Sequence, residues 1–412
     1  MIHGYRPCTF GLMLAILAFS IFPVSAQVDS SPLYKVVNIG QSIQEAINNA
    51  TDGDTILISS GIHVEKSYPI IVNKSLTIIG ENAKNTIING NRTNRGIFLV
   101  KADYVKIGNL TIQNTTEHYG ISGIHLFGVQ HIEVFDCMVK NCGSGIQLTN
   151  STNNIIARNN VTSNNSVGIY LHDDSSHNLI VGNLIANNPT GLWIPDYQSS
   201  NNKIFHNSFV SNNEQQSSIG SSTVWDNGYP SGGNYWSDHL HIDLYHGVHQ
   251  NISGSDGLVD ENYMDIDKYP LVEPPIFVYL YTSDQDYYSV IITNSSVSNF
   301  YFKPETGCFV NFTVQNGGNT GFCRVSIPKA VLWIENGEQW IITLNETMVD
   351  DPFILEDESC TYFYLQYDQG TFHIKIQGFH VIPEIPSSTA WITLILFLTI
   401  LFAAIKKLRT CI

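Results

Sequence analysis

The sequence predicts an all-β protein: a right-handed parallel β-helix followed by a small β-sandwich, with a signal peptide and one C-terminal transmembrane helix. Three observations lead to this fold class. Short hydrophobic stretches recur at a nearly constant spacing through the middle of the chain, the spacing is lost beyond residue 275, and an uncharged apolar run lies near each end. Charged residues make up only 14% of the 412 residues. Asn, Ser, Thr and Gly fill the rest of the polar share, and these residues favour turns over helix.

The two apolar runs indicate export and anchoring. Residues 1–26 are predicted to be a signal peptide, because Arg6 precedes an apolar stretch that ends in small residues suited to cleavage. Residues 387–405 form an uncharged run of 19 residues, just enough helix to cross about 30 Å of hydrocarbon. The basic tail at 406–412 follows at once, and positive residues stay on the cytoplasmic side. We therefore expect a single-pass protein of the cell membrane with most of the chain extracellular.

The charge balance and the cysteines exclude other classes. The chain has 20 Lys and Arg against 36 Asp and Glu, a net charge of −16, and no basic patch, which excludes nucleic acid as a partner. No CxxC pair occurs, so a zinc ribbon is not indicated. Five cysteines lie between the two terminal segments, and Cys323 is able to pair with either Cys308 or Cys360.

The middle of the chain repeats a short pattern: glycine, then an apolar residue, any residue and another apolar residue. Two further alternating stretches follow within each unit. Three short strands in about 23 residues cannot bury themselves alone, so each unit must stack on the next as one coil of a parallel β-helix over residues 54–273. The pattern begins at five glycines, with steps of 27, 22, 23 and 23 residues: Gly96, Gly123, Gly145, Gly168 and Gly191.

Asparagines give an independent estimate of the coil register, because stacked amides can hydrogen-bond from coil to coil. Residues 27–53 precede the coils and are predicted to form an N-terminal strand and a capping helix. Residues 42–50 place apolar side chains on one helical face, which suits covering the first coil. Four asparagines are spaced by 27, 23 and 23 residues: Asn114, Asn141, Asn164 and Asn187.

The chain beyond the repeats has a different pattern. Residues 276–381 contain about seven alternating stretches with turns between them, the number expected of a small β-sandwich. Residues 382–386 then form a stiff proline linker to the predicted membrane anchor.

Several longer motifs resemble those of a known family. They are DGDTILISSGIHVE at residues 52–65, WDNGYPSGGNYWSDH at 225–239 and GSDGLVDENY at 254–263. Together with the coils, they resemble the NosD-like right-handed parallel β-helix proteins of archaeal cell surfaces, which are built from PbH1 repeats. TGFCRVSIPKAVLW at 320–333 is similar to the sandwich tail that many of them place before a membrane stalk. The resemblance implies an architecture, while its members include copper-maturation accessories, carbohydrate-binding surface proteins and relatives of polysaccharide lyases and hydrolases.

The residue between the two apolar positions of each repeat points outward, since strand side chains alternate. Rings beside amide and imidazole groups suit sugars, so this stripe predicts a glycan-binding or adhesion protein whose partner is an extracellular polysaccharide or surface glycan. The alternative is an aromatic ladder that only stabilises the sheet. The predicted stripe contains Phe98, His125, Gln147, Tyr170 and Trp193.

An acidic group suggests a second function. Asp173 and Asp196 each lie five residues after their glycine, with Asp174 adjacent, so acids on neighbouring coils would lie about 5 Å apart. Paired carboxylates suit a polysaccharide hydrolase, or a lyase that holds Ca²⁺. The alternative is that Asp is present only because it favours turns, so enzymatic activity stays open.

Two further clusters are candidate metal ligands. Four aspartates supply the oxygens that Ca²⁺ prefers, without EF-hand spacing: Asp256, Asp260, Asp265 and Asp267. Four histidines are candidate copper or zinc ligands: His239, His241, His246 and His249. The histidines suggest a third function, a NosD-like copper-handling accessory protein, although no Cys or Met cluster that would select Cu(I) accompanies them.

Overall fold

The computed structural model describes residues 34–219, 222–280, 282, 287–302 and 307–381. Its first part is a right-handed-type parallel solenoid of about eight turns, and its second part is antiparallel.

The predicted terminal segments lie outside the described residues. They are the signal peptide at 1–26, the linker at 382–386, the transmembrane helix at 387–405 and the tail at 406–412. Within the part of the chain that the structure describes, no helix is long and apolar enough to span a bilayer.

The solenoid is built from short strands in chain order and one helix. They are β1 (Tyr34–Val37), α1 (Ile43–Asn48), β2 (Thr55–Ile58), β3 (Gly61–His63), β4 (Ile70–Val72), β5 (Thr77–Gly80), β6 (Thr86–Thr93), β7 (Phe98–Val100), β8 (Lys106–Gly108), β9 (Thr111–Thr115), β10 (Ser122–Phe127), β11 (Glu133–Phe135), β12 (Met138–Lys140), β13 (Ser144–Thr149), β14 (Ile155–Ala157), β15 (Asn160–Thr162), β16 (Val167–His172), β17 (Leu179–Val181), β18 (Leu184–Ala186), β19 (Thr190–Ile194), β20 (Lys203–Phe205), β21 (Ser208–Val210), β22 (Glu214–Ser218) and β23 (Tyr235–Trp236).

Equivalent strands of successive coils pair in parallel, which gives three sheets. The first sheet has the order β1-β2-β5-β8-β11-β14-β17-β20, the second β4-β7-β10-β13-β16-β19-β22, and the third β3-β6-β9-β12-β15-β18-β21-β23. Helix α1 closes the first coil: Ser42 caps its N-terminus by accepting from the Glu45 N–H, and Ile43 and Ile47 join the solenoid core. The helix therefore covers the open end, as its apolar face predicts.

The predicted glycine column is confirmed for four of its five members. Strand pairing aligns Gly123, Gly145, Gly168 and Gly191. A Cβ on Gly145 would lie 2.5 Å from the Gly168 carbonyl oxygen, and one on Gly168 would lie 2.5 Å from the Gly191 oxygen. The coils approach too closely there for any side chain. Gly96 was wrongly placed in this column. Gly96 has a φ of +74°. Because Phe98 pairs with Ile124, the residue aligned with Gly123 is Ile97, one position after Gly96.

Three buried asparagine ladders run along the inside of the turns. In each, the side-chain amide and the backbone N–H of one Asn donate to the Oδ1 of the Asn one coil on, at 2.9 to 3.2 Å. The ladders are Asn154-Asn178-Asn202, Asn159-Asn183-Asn207-Asn234 and Asn164-Asn188-Asn212. Each shared oxygen satisfies buried donors of the coil before it, so the ladders fix the coil register.

The predicted asparagine column mixes two positions of the turn. Asn114, Asn141 and Asn187 have φ between 52° and 68°, the left-handed region that Asn tolerates. Asn164 lies one residue further on, in a buried ladder, and Ser163 takes its place in the column. Equal spacing in sequence did not reveal this one-residue offset.

Beyond the solenoid the strands are antiparallel. They are β24 (Tyr245–His246), β25 (Ile252–Ser253), β26 (Ile276–Leu280), β27 (Tyr287–Thr293), β28 (Ser296–Phe302), β29 (Phe309–Pro328), β30 (Leu332–Trp333), β31 (Ile341–Leu344), β32 (Thr347–Met348), β33 (Phe353–Glu356), β34 (Cys360–Gln377) and β35 (His380–Val381).

The predicted seven-strand sandwich needs correction, because its strands belong to one sheet. Strands β29 and β34 pair along their whole length, with a bulge between Asn316 and Thr320. Their outer ends pair with β28 and β31, and their other ends with β27 and β33. Four of the predicted stretches, at 309–314, 323–327, 361–366 and 372–377, are therefore two long strands, β29 and β34. One hydrophobic cluster takes side chains from both ends of these strands.

No disulfide forms among the described cysteines. Cys137, Cys142, Cys308, Cys323 and Cys360 are all free. Both pairings considered for Cys323 are therefore wrong, because Cys323 pairs with Leu365 across the sheet while Cys360 pairs with Pro328.

The antiparallel sheet packs against the side of the solenoid through polar contacts. Arg158 binds Asp136 through two contacts of 3.2 Å, and its guanidinium lies 4.2 Å from the Tyr288 ring centre. The Tyr279 hydroxyl donates to the same Asp136 carboxylate at 2.7 Å. Further along, the buried Arg324 donates to the carbonyl oxygens of Pro230 and Ser231.

Candidate functional site

The outer face of the second sheet carries the predicted stripe of side chains, displaced at one coil. Cα pairing aligns His125, Gln147, Tyr170 and Trp193 on successive coils. Phe98 was wrongly placed here, since it pairs with Ile124 and is fully buried in the core. Leu99 holds the stripe position instead. We use "outer stripe" for Leu99, His125, Gln147, Tyr170 and Trp193.

A second row lies beside the outer stripe, two residues further along each strand. This flanking row contains Phe127, Thr149 and His172, which pair with each other from coil to coil. His125 Nε2 lies 2.8 Å from the Thr149 hydroxyl, and His172 Nε2 lies 3.0 Å from the same hydroxyl. The Gln147 amide nitrogen lies 2.9 Å from His172 Nε2. Polar atoms of three coils thus form one network on the surface of the sheet.

Three rings stack at the end of this network. Tyr170 stacks on Trp193 of the next coil at 4.7 Å and on His172 of its own strand at 4.3 Å. Neighbouring rings leave Tyr170 only 8% exposed, and burial raises the pKa of its hydroxyl. Trp193 is less buried and pairs with Ser217 on its other side, a residue too small to cover an indole. Trp193 is therefore the ring that can present a face to a ligand.

The imidazole of His125 is neutral at ordinary pH. Burial, with smaller contributions from the neighbouring His172 and Lys101, lowers its pKa to about 4. A neutral imidazole both donates and accepts hydrogen bonds. The network therefore offers hydroxyl-binding groups without a net positive charge at this position.

The acidic residues lie at the end of the same strands. Asp173 and Asp196 are adjacent across two coils, since Asp196 Oδ2 accepts the backbone N–H of Asp173 at 3.0 Å. Asp196 Oδ1 accepts the Ser199 N–H at 2.7 Å. Asp173 and Asp174 have φ of 52° and 61°, typical of Asp in a turn, and Asp173 also contacts His172 Nδ1 at 3.2 Å. These contacts use the carboxylate of Asp196 to hold two turns together.

The four candidate calcium ligands serve separate backbone contacts. Asp267 accepts from Asn234 N and Trp236 Nε1 and so ends the middle asparagine ladder. Asp256 accepts from the Leu258 N–H, and Asp260 accepts from the N–H groups of Leu244 and Tyr245. Asp265 lies at a left-handed turn position.

The four candidate histidine ligands also diverge. His239 contacts the Glu261 carbonyl oxygen and His241 the Trp236 carbonyl oxygen, each at 3.0 Å, while His246 packs against Phe353. His249 is exposed. Throughout the described ranges, no three His, Cys, Asp or Glu side chains are placed to hold a metal ion. The structure therefore assembles neither the predicted calcium site nor the predicted histidine site.

With the solenoid and its outer face described, comparison with known proteins identifies the coiled part. The model of a family described as periplasmic copper-binding protein (NosD) matches residues 47–240. The chain carries a NosD-like β-helix. The match spans all coils from β2 to β23, and it says nothing of the archaeal origin that the resemblance implies.

The copper in that description has no matching set of donors in this NosD-like β-helix. Copper sites use converging imidazole, thioether or thiolate groups, and the histidines near residue 240 point to separate partners. Cys137 and Cys142 are buried, which raises the pKa of each thiol to about 12. A thiol that stays protonated is a poor metal ligand. The residues present therefore do not fit a copper ion.

Solved structures give only distant similarity. An alginate lyase from Paenibacillus sp. str. FPU-7 is 18% identical, with a TM-score of 0.29 over 43% of this chain and 74% of that chain. The pectate lyase Pel9A is 15% identical, with a TM-score of 0.38 over 50% of this chain and 58% of that chain. The Dettilon tailspike protein is 12% identical, with a TM-score of 0.27 over 83% and 94%. At these scores none says what this chain binds. No curated protein matches the sequence.

The sequence signal for the flanking row went unused. Thr149 and His172 each follow an outer-stripe residue by two positions, so the same alternation that predicts the stripe also places them on the outer face. The Gly-Ile-x-Leu pattern ends at Leu148 and Leu171, one residue before Thr149 and His172.

Proposed function

We propose that this chain is a glycan-binding protein of the cell surface, which holds an extracellular polysaccharide along the outer stripe and the flanking row. Export and membrane anchoring through the predicted terminal segments are part of this proposal. The observation that carries it is the incompletely buried Trp193 ring, stacked on Tyr170 at the end of a hydrogen-bonded network of Gln, Thr and His side chains.

This arrangement offers both kinds of contact that a sugar needs. The C–H face of a sugar ring packs on an indole, and its hydroxyls exchange hydrogen bonds with amide, imidazole and hydroxyl groups. Coils repeat about every 4.8 Å along the solenoid. An extended polysaccharide that lies along the axis therefore contacts one outer-stripe position at each coil.

The geometry favours binding over bond cleavage. Both oxygens of Asp196 accept backbone N–H groups, and Asp173 lies at a turn beside His172. The carboxylate of Asp196 is thereby engaged in holding two turns together. We therefore assign no catalytic role to Asp173, Asp174 or Asp196.

Retention on insoluble polysaccharides tests the proposal. The full chain is mixed with cellulose, chitin, xylan and mannan, and the bound fraction is compared with those of Trp193→Ala and Leu99→Ala. We expect Trp193→Ala to lose roughly tenfold in affinity for whichever polysaccharide retains the chain. Leu99→Ala is the matched control, because it removes bulk from the same stripe without removing a ring.

Two results would contradict the proposal. One is that no polysaccharide retains the unchanged chain. The other is that Trp193→Ala, shown to be folded by its melting curve, is retained as strongly as the unchanged chain.

A further inference from the structure

A cleft in the antiparallel region lies outside the NosD-like β-helix and is lined by two tryptophans. Its volume is about 410 Å³, within the range of small-molecule sites. Trp333 lies on β30 and Trp340 just before β31. Its lining also includes Lys329, Ile334, Glu356 and Thr361.

Trp340 has an unused hydrogen-bond donor. Its side chain is 7% exposed, and its ring packs edge-to-face on Phe363 at 4.9 Å. Its indole Nε1 has no hydrogen-bond partner among the described residues. Buried indole N–H groups normally have a partner. Because this nitrogen is itself buried, a ligand oxygen would satisfy it only after displacing part of the lining.

The rest of the lining supplies polar groups. Lys329 and Glu356 form an ion pair of 2.8 Å and both are partly exposed, so both can also bind a hydroxyl. A neighbouring cavity of about 600 Å³ shares Ile334, Trp340 and Glu356 and adds the acids Glu338, Asp350 and Asp351. Carboxylates outnumber cations across the two cavities, which disfavours an anionic ligand.

We propose that this cleft binds a neutral saccharide of one or two rings, with the Trp340 N–H donating to a sugar oxygen and Trp333 packing on a sugar face. Indole rings, an unpaired N–H and carboxylates that accept hydrogen bonds from hydroxyls form the set of contacts that a neutral sugar uses. The site is separate from the outer stripe and does not depend on glycan binding there.

Fluorine NMR of the full chain tests this assignment. The six tryptophans are labelled with 5-fluorotryptophan, and the resonances of Trp340 and Trp333 are assigned with Trp340→Phe and Trp333→Leu. Cellobiose, maltose and lactose are titrated as neutral probes and glucuronate as the anionic probe. We expect both resonances to shift with at least one neutral disaccharide, and to shift less with glucuronate.

The variants separate the contributions of the two residues. Trp340→Phe keeps an aromatic ring against Phe363 but removes the N–H, so we expect about a tenfold loss of affinity, measured at the Trp333 resonance. Trp333→Leu lies nearer the surface and provides a second test if Trp340→Phe does not fold. Trp193→Ala is the control for the outer stripe, and the shifts at Trp340 should be unchanged in it.

Several outcomes would overturn the assignment. They are unmoved Trp340 and Trp333 resonances with all three disaccharides up to their solubility limits, a larger shift with glucuronate, and undiminished affinity in a folded Trp340→Phe. A Trp340 resonance that ignores sugars but moves when residues 382–412 are exchanged for a Gly-Ser linker would instead assign the cleft to the chain's own C-terminal segment.

Discussion

The solenoid and the antiparallel sheet bury their strands in opposite ways. In the solenoid each strand pairs with the equivalent strand one coil away, and the same contacts recur at every coil. In the antiparallel region β29 pairs with β34 along its length, from the Phe309–Gln377 pair at one end to the Pro328–Cys360 pair at the other. Each of these residue pairs occurs only once in the pairing. Repetition makes the register of the solenoid visible in the sequence, whereas the unique pairs of the sheet leave no period to detect.

The largest expected effect comes from breaking the close approach of the coils. In Gly168→Ala the new Cβ would lie 2.5 Å from the Gly191 carbonyl oxygen, where neighbouring backbone cannot yield. We expect a loss of about 4 kcal/mol or more in unfolding free energy, or no folded protein. Gly317→Ala is the control in the antiparallel region, with open space around its Cβ. Urea unfolding should show a change within about 0.5 kcal/mol there. Equal stability of the two variants would contradict the coil packing.

Truncating one asparagine of a buried ladder should destabilise the solenoid nearly as much as the Gly168→Ala substitution. Asn183→Ala removes the acceptor of the Asn159 backbone and side chain and the donor to Asn207. We expect a loss of about 2 to 4 kcal/mol in unfolding free energy, because buried donors are left unpaired. The exposed Asn213→Ala, one coil on, should change stability by less than about 0.5 kcal/mol. If Asn183→Ala and Asn213→Ala have the same unfolding free energy, the ladder does not fix the register.

Acid should weaken the end of the solenoid near the antiparallel sheet. His206 is buried with Nε2 3.0 Å from the Ser231 carbonyl oxygen, and burial lowers its pKa to about 4. The unfolded chain binds this proton with a pKa near 6.5, so unfolding takes up a proton and stability falls as pH drops from about 6.5 to about 4. The loss should be up to roughly 3 kcal/mol. Melting temperatures of the unchanged chain and His206→Gln, compared across that range, should converge towards acid. Parallel curves would rule out this contribution.

The contact between the two regions should give the smallest effect. Arg158→Ala removes two bonds to Asp136 and the ring contact with Tyr288. We expect a loss of about 1 to 2 kcal/mol, and calorimetry should show the two regions melting further apart. Lys203→Ala is the control, because its cation lies over Phe205 within the solenoid. An unchanged separation of the transitions in Arg158→Ala would mean that these contacts do not couple the regions.

Sequence reasoning reached the solenoid and most of its outer stripe because apolar alternation and period are local properties. It misplaced Phe98, because the Gly-Ile-Phe-Leu sequence at Gly96 matches the repeat pattern but is shifted by one residue relative to the strand pairing. Gly96 lies in a turn with positive φ, and Phe98 pairs with Ile124. It misplaced Asn164 for the same reason. A period fixes the coil length but not a one-residue offset, and in strands such an offset moves a side chain to the other face.

The same reasoning failed where contacts are long-range. Gly317 and Gly318 lie between two of the predicted strands, yet in the structure they form a bulge within one long strand whose partner begins at Cys360. The candidate metal ligands also depend on long-range contacts. Aspartates that are close in sequence, such as Asp256 and Asp267, each bind a different segment of backbone. These residues are close in sequence, but the fold turns their carboxylates towards different partners.

Hydrogen–deuterium exchange of the full chain, with and without a soluble form of the retained polysaccharide, tests the central claim most directly. The glycan should slow exchange in β13, β16 and β19, the strands that carry Gln147, Tyr170 and Trp193, and should leave exchange in β14, β17 and β20 of the first sheet unchanged. Slower exchange confined to the first or third sheet, or to the loops after β23, would contradict the assignment of glycan binding to the outer stripe.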